Sequence, residues 1–137
     1  MSTIQRSFRI KEPLLQEIER IRKNRPVNAL ANELLEEALK MRRCPGVIFA
    51  DGVSGRRARI AGTGVEVWEV IYEYQIVGQD IEGLRRALAH LTERQLIAAL
   101  NYYRAYPEEI NEIIKSNEAI TPESVEGRFS LPRRESR

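Results

Sequence analysis

Thr3 to Arg43 reads TIQRSFRIKEPLLQEIERIRKNRPVNALANELLEEALKMRR, and two hydrophobic periods follow one another along it. From Thr3 to Ile10 the period is two. Ile4, Phe8 and Ile10 share one parity while Thr3, Gln5, Ser7 and Arg9 share the other, which predicts a short half-buried β-strand. Arg6 is the one departure, on the apolar side. Beyond Lys11-Glu12 the period turns helical. Pro13 suits a first helical turn, and Leu14, Leu15, Ile18 and Ile21 recur on one face while Glu17, Arg20 and Lys23 point elsewhere. Asn24-Arg25-Pro26 ends that helix, because proline drives the residue before it out of helical geometry. A second helix is expected from about Asn28 to Arg43. Leu30, Ala31, Leu34, Leu35, Ala38 and Leu39 form its apolar face, and Lys40, Arg42 and Arg43 sit where the helix dipole favours cations.

This strand, helix, turn and helix has no second strand, and a lone strand is not stable. Its apolar content is also too small for a core of its own. Both deficits vanish when two copies zip their strands into an antiparallel ribbon and interlock their helices. The first 43 residues therefore demand a homodimer.

Cys44-Pro45-Gly46 breaks the second helix. Val47-Ile48-Phe49 and Arg57-Ala58-Arg59-Ile60 read as two short strands around the turn-rich Asp51 to Gly55. Ala61-Gly62-Thr63-Gly64 is a tight loop before an apolar-rich helix of about Val67 to Val77. Asp80 should cap a helix over about Ile81–Ala89, and Thr92 another over about Glu93–Tyr106. Pro107 opens a further helix to about Lys115. Three helices with brief connections are what a helix-turn-helix requires. From Ser116 the composition turns polar, and residues 116–137 read as an extended tail. The expected organisation is mainly α, with units at 1–43, 44–115 and 116–137.

Composition removes several classes of function. With 42% hydrophobic and 31% charged residues, the chain is balanced for a soluble globule. No segment approaches the roughly 20 apolar residues that span a bilayer, and the N-terminus lacks the apolar core of a signal peptide. The single Cys44 has no disulfide or metal partner, so a reduced, cytoplasmic setting is expected and Cys44 reads as a buried junction residue. His90 is the only histidine, which leaves no metal centre and no nucleophile relay. Glu36-Glu37 and Glu108-Glu109 are adjacent on helices and do not converge on one face. The expectation is a protein with no enzyme activity and no cofactor. Gly62-Thr63-Gly64 lacks the lysine and spacing of a phosphate-binding loop, and reads as a turn. Net charge is +2, but residues 1–43 carry ten Lys/Arg against six Asp/Glu. A polyanion would land at that end.

The segments QRSFRI, EPLLQEIERI and NELLEEALK resemble the ribbon-helix-helix family. That resemblance implies a two-stranded ribbon laid in the DNA major groove, with outward side chains at base edges. The outward positions here are Gln5, Ser7 and Arg9, whose chemistry suits adenine, either partner, and guanine respectively. The family's second helix gives its N-terminal N–H groups to a phosphate after a glycine-serine style turn. Arg25-Pro26-Val27-Asn28 stands there instead, so Asn28 is expected to cap the helix and Arg25 to reach phosphate.

The stretch GRRARIAGTGVEVWEVIYEYQIVGQDIEGLRRALAHLTERQLIAALNYY, Gly55 to Tyr103, resembles a small prokaryotic domain of unknown function, number 433, found in VapB-like antitoxins. Its marks are the IAGTG loop before VWEV, the glycine ahead of the next helix, the HLT turn and the AALNYY helix end. The resemblance implies a helix-turn-helix with Thr92 to Tyr103 as the recognition-like helix. Arg94, Gln95 and Asn101 would be its polar contacts, with Arg85 and Arg86 on the helix before it. Arg56, Arg57 and Arg59 either contact phosphate or line a solvated hairpin. The aromatics Trp68, Tyr72, Tyr74, Tyr102, Tyr103 and Tyr106 are expected in packing, not base stacking. In the tail, Phe129 and Leu131 would anchor on a PIN-like ribonuclease toxin whose acidic site accepts Arg133 or Arg134.

Together these resemblances imply the antitoxin of a type II toxin–antitoxin pair: a dimeric autorepressor whose partners are operator DNA and the toxin, with tetramer formation left open and no membrane involved. The alternatives are a sequence-specific regulator without a toxin and a protein-interaction adaptor.

Overall fold

The computed structural model describes residues 2–118, which form six helices and one two-stranded sheet. The chain divides into two units, Met1–Lys40 and Met41–Arg137.

The first unit holds helix α1 (Glu12–Arg22) and most of α2 (Val27–Arg43). Pro13 lies in the first turn of α1, where a missing N–H costs nothing. Lys23 ends α1 with φ 55°, a left-handed value that side chains disfavour, and Arg22 Nη1 steadies the turn by donating to the Arg25 carbonyl at 3.0 Å. α2 begins one residue earlier than its sequence suggests. The Pro26 carbonyl accepts from Leu30 N at 3.2 Å, so Asn28 lies inside the first turn and does not cap it; its own carbonyl accepts from Asn32 Nδ2 at 2.7 Å. Residues 2–11 carry no strand. A strand is defined by its ladder, and this segment has no ladder partner among the described residues. Both parities of its alternation face solvent, with Ile4 77% and Phe8 70% exposed.

The second unit has a core. Strands β1 (Val47–Gly52) and β2 (Gly55–Ile60) pair antiparallel around Val53-Ser54. Val47 faces Ile60 and Phe49 faces Ala58 on the inner side, while Ile48–Arg59 and Ala50–Arg57 pair on the other. Gly46, φ 94°, admits no side chain, because a Cβ there would stand 3.0 Å from Ala98 Cβ. Helix α3 (Val67–Ile76) buries Val67, Val70 and Ile71 completely and packs against β2 and the three helices that follow. These are α4 (Ile81–Ala87), α5 (Glu93–Ala105) and α6 (Pro107–Glu118). α6 continues through Ser116, Asn117 and Glu118, so these three residues, expected in an extended tail, are helical.

The caps explain where the helices start. Asp80 Oδ2 accepts from Gly83 N at 3.0 Å. Thr92 Oγ1 accepts from Gln95 N at 3.1 Å and Gln95 Oε1 accepts from Thr92 N at 2.9 Å, a reciprocal box. Glu66 and Glu69 make the same box at the head of α3. Tyr102, fully buried, meets Phe49 edge-on at 6.3 Å and Tyr106 at 5.0 Å, and donates its hydroxyl to the Glu109 carboxylate at 2.9 Å. The six aromatics named from sequence thus include the centre of the core. Leu84, Leu91 and Leu96 are buried and tie α4, the intervening turn and α5 to the same interior.

Candidate nucleic-acid interface

The N-terminal candidates Gln5, Ser7 and Arg9 are all exposed, and so is Arg6. Arg25 is not free to wait for a phosphate: its Nη2 pairs with Glu33 Oε1 at 2.8 Å. An exposed pair of this kind is weak and exchanges readily for a phosphate partner. Asn28 is exposed beside it on the first turn of α2. The five candidates Gln5, Ser7, Arg9, Arg25 and Asn28 belong to the first unit, and the remaining described candidates to the second.

In the second unit, α4 and α5 are joined by Leu88 to Thr92, and both pack on α3. Arg85 Nη1 lies 3.7 Å from Glu82 and 3.9 Å from Glu93, so its charge balances two carboxylates at the edge of the pair. Arg86 and Arg94 are exposed and make no ion pair among the described residues. Gln95, expected as a polar contact, has its carbonyl oxygen accepting from Thr92 N at 2.9 Å in the capping box, which leaves its NH2 group to donate elsewhere. Asn101 accepts from Arg104 Nη1 at 3.1 Å, which leaves its NH2 to donate outward. Sequence reading missed two residues on this surface. Arg104 and Ile97, the latter 47% exposed, lie on the same side of α5 as Arg94 and Asn101. The signal was present, since 94, 97, 101 and 104 share one helical stripe spanning about 80°.

The hairpin arginines are occupied. Arg56 pairs with Asp51 at 3.4 Å and Arg57 with Glu66 at 3.7 Å, while Trp68 Nε1 donates to the same Glu66 at 2.6 Å. Arg59 Nη2 donates to the Asp51 carbonyl at 3.4 Å, and its buried Nε has no hydrogen-bond partner among the described residues. This knot fastens the hairpin to the head of α3. Thr63 closes the glycine loop from inside, donating to the Ile60 carbonyl at 2.9 Å and accepting from Val65 N at 3.0 Å. Its side chain is thus spent on the turn.

Cys44 is buried and His90 exposed. Among the described residues no three His, Cys, Asp or Glu side chains group as a metal site, and no helix is long and apolar enough to cross a membrane. Phe129, Leu131, Arg133 and Arg134 lie outside the described residues.

Residues 47–103 match the model of a family described as Protein of unknown function (DUF433). The matched stretch runs from the start of β1 almost to the end of α5. Among solved structures, the chain is similar to a DUF433 member protein from Anabaena variabilis, with 24% identity, 77% of this chain and 99% of that chain covered, and a TM-score of 0.43. No curated protein matches the chain.

Proposed function

We propose that this chain is a homodimeric DNA-binding autorepressor and the antitoxin of a type II toxin–antitoxin pair. One observation carries the dimer. In the first unit Ile4, Phe8, Ile10, Leu14, Leu15, Ile21, Leu35 and Leu39 are each more than 40% exposed, and α1 buries no residue at all. Covering such groups is worth about 1 kcal/mol apiece for side chains that start half exposed. A second copy is the occupant that the sequence alternation fits, because pairing two Thr3–Ile10 segments supplies the missing ladder and puts Ile4, Phe8 and Ile10 on an inner face. Gln5, Ser7 and Arg9 then form an outer edge from both chains, of a width that a major groove admits. Arg25 would exchange its Glu33 partner for a phosphate at the start of α2, with Asn28 exposed beside it.

The toxin rests on different support, the resemblance of Gly55–Tyr103 to a domain found in VapB-like antitoxins. Phe129, Leu131, Arg133 and Arg134 are assigned to the toxin on that basis. The chain acts by binding, with no catalytic role.

The decisive experiment is a gel shift with the DNA upstream of the chain's own coding sequence, salt being titrated. Arg9→Ala should weaken binding by about 1–3 kcal/mol at fixed salt while the protein stays dimeric. Unchanged affinity ends the ribbon assignment. Copurification with the product of the adjacent gene tests the toxin separately, and a regulator without a toxin would give the first result alone.

A further inference from the structure

We infer that the exposed stripe of α5 is a second DNA-reading element, and that Ile97 is its specificity-determining side chain, contacting the methyl group of a thymine in the major groove. This rests on the DNA-binding reading above and extends it to the second unit.

Charge selects the occupant of this stripe. α4 and α5 carry Arg85, Arg86, Arg94 and Arg104 against Glu82 and Glu93, a net +2. α3 and α6 carry Glu69, Glu73, Glu108, Glu109, Glu112 and Glu118 against Lys115 alone, a net −5. A polyanion is drawn to the first pair of helices and repelled by the second, which fixes the side that meets it. Arg85 Nη1 is shared between Glu82 and Glu93, so the carboxylate at the head of α5 is partly offset.

Chemistry then sorts the stripe itself. Arg94 lies in the first turn, and Arg104 three turns further on; both suit phosphate or guanine. Asn101 accepts from Arg104 through its oxygen and keeps both NH2 donors for an acceptor on a base or phosphate. Ile97, between them, is apolar, 47% exposed and β-branched, a poor choice for solvent and for a helix. In a major groove a thymine C5 methyl is the apolar mark available to a side chain of that kind. The reciprocal Thr92–Gln95 box fixes the first turn, so the stripe is presented on a rigid helix.

The test starts from duplexes that the full-length protein selects out of a random pool of base sequences. Each thymine in an enriched site is replaced in turn by uracil, which removes only the C5 methyl. Wild-type protein should lose about fourfold in affinity at one thymine per half-site, the worth of one buried methyl-sized group. Ile97→Ala should show the same loss on the unmodified site and become indifferent to that uracil, whereas Ile97→Val should retain most of the sensitivity. Arg9→Ala should still sense it. Because Ile97 is exposed, the alanine variant leaves no internal cavity, and its melting curve serves as the control. Wild-type affinity in Ile97→Ala, or undiminished sensitivity to every uracil, overturns the inference and leaves the Arg9-dependent reading intact. So does a variant whose only change is in oligomeric state, which would make the stripe a protein contact. Failure to select any duplex overturns both.

Discussion

Tyr102 is buried completely and still carries a hydroxyl, which the Glu109 carboxylate accepts at 2.9 Å. Burial first, and then the charge on Glu109, hold its proton well above the ordinary tyrosine range. The unfolded chain gives up this proton near the ordinary tyrosine value of 10.0, whereas the folded chain keeps it. Above that pH the native state therefore binds more protons, and stability falls as pH rises; below it the contribution is whole. Urea midpoints between about pH 9 and 11 should fall more steeply in wild type than in Tyr102→Phe, by up to about 1.4 kcal/mol per pH unit. Parallel curves would mean that the hydroxyl titrates freely. At neutral pH the same substitution should cost about 1.5 kcal/mol, the usual worth of a hydrogen bond to a charged group.

Helix starts are where sequence reading succeeded and failed for reasons that can be named. Asp80 and Thr92 belong to the residue types that cap, each just ahead of a helix, and each caps. Glu66 lies outside that set of types, so the box at the head of α3 was not legible in advance. Asn28 is a capping type in a plausible place, but the Pro26 carbonyl had already begun the helix. Gln95 was read as a base contact although its spacing from Thr92 is that of a capping box. Thr92→Ala should therefore lower stability by about 0.5–2 kcal/mol. Gln95→Ala should also destabilise, while the folded variant binds DNA with wild-type affinity. An affinity loss at unchanged stability would return Gln95 to base reading. The alternation of Thr3–Ile10 was legible as a period, but a period does not supply a ladder, and no strand pairs with it among the described residues.

The two units of the molecule stand on different footing. From Cys44 to Ile114 the second unit has an interior to which hairpin and helices all contribute. Among the described residues of the first unit only Leu30 and Glu37 are buried. The sequence made this asymmetry readable, because the apolar count before residue 43 is too small for one copy. The spacing of 94, 97, 101 and 104 was legible as one stripe of α5, but that this stripe faces solvent is settled by packing on α3. If a second copy completes the first unit, its melting must depend on protein concentration while that of the second unit does not. Calorimetry of the full chain across a hundredfold dilution (roughly two decades of mass action) should move one transition to lower temperature and leave the other in place. Two fixed transitions, or a single fixed one, would mean that the first unit folds alone.

The bare face of α1 has a further consequence for the lifetime of the protein in a cell. If a second copy covers that face, as proposed, a newly made chain without its twin would offer proteases an uncovered first unit, and cutting would follow the population of open forms. Scarcity would then breed more scarcity, with clearance quickening as abundance falls, so that supply of the chain is sensed through its own survival.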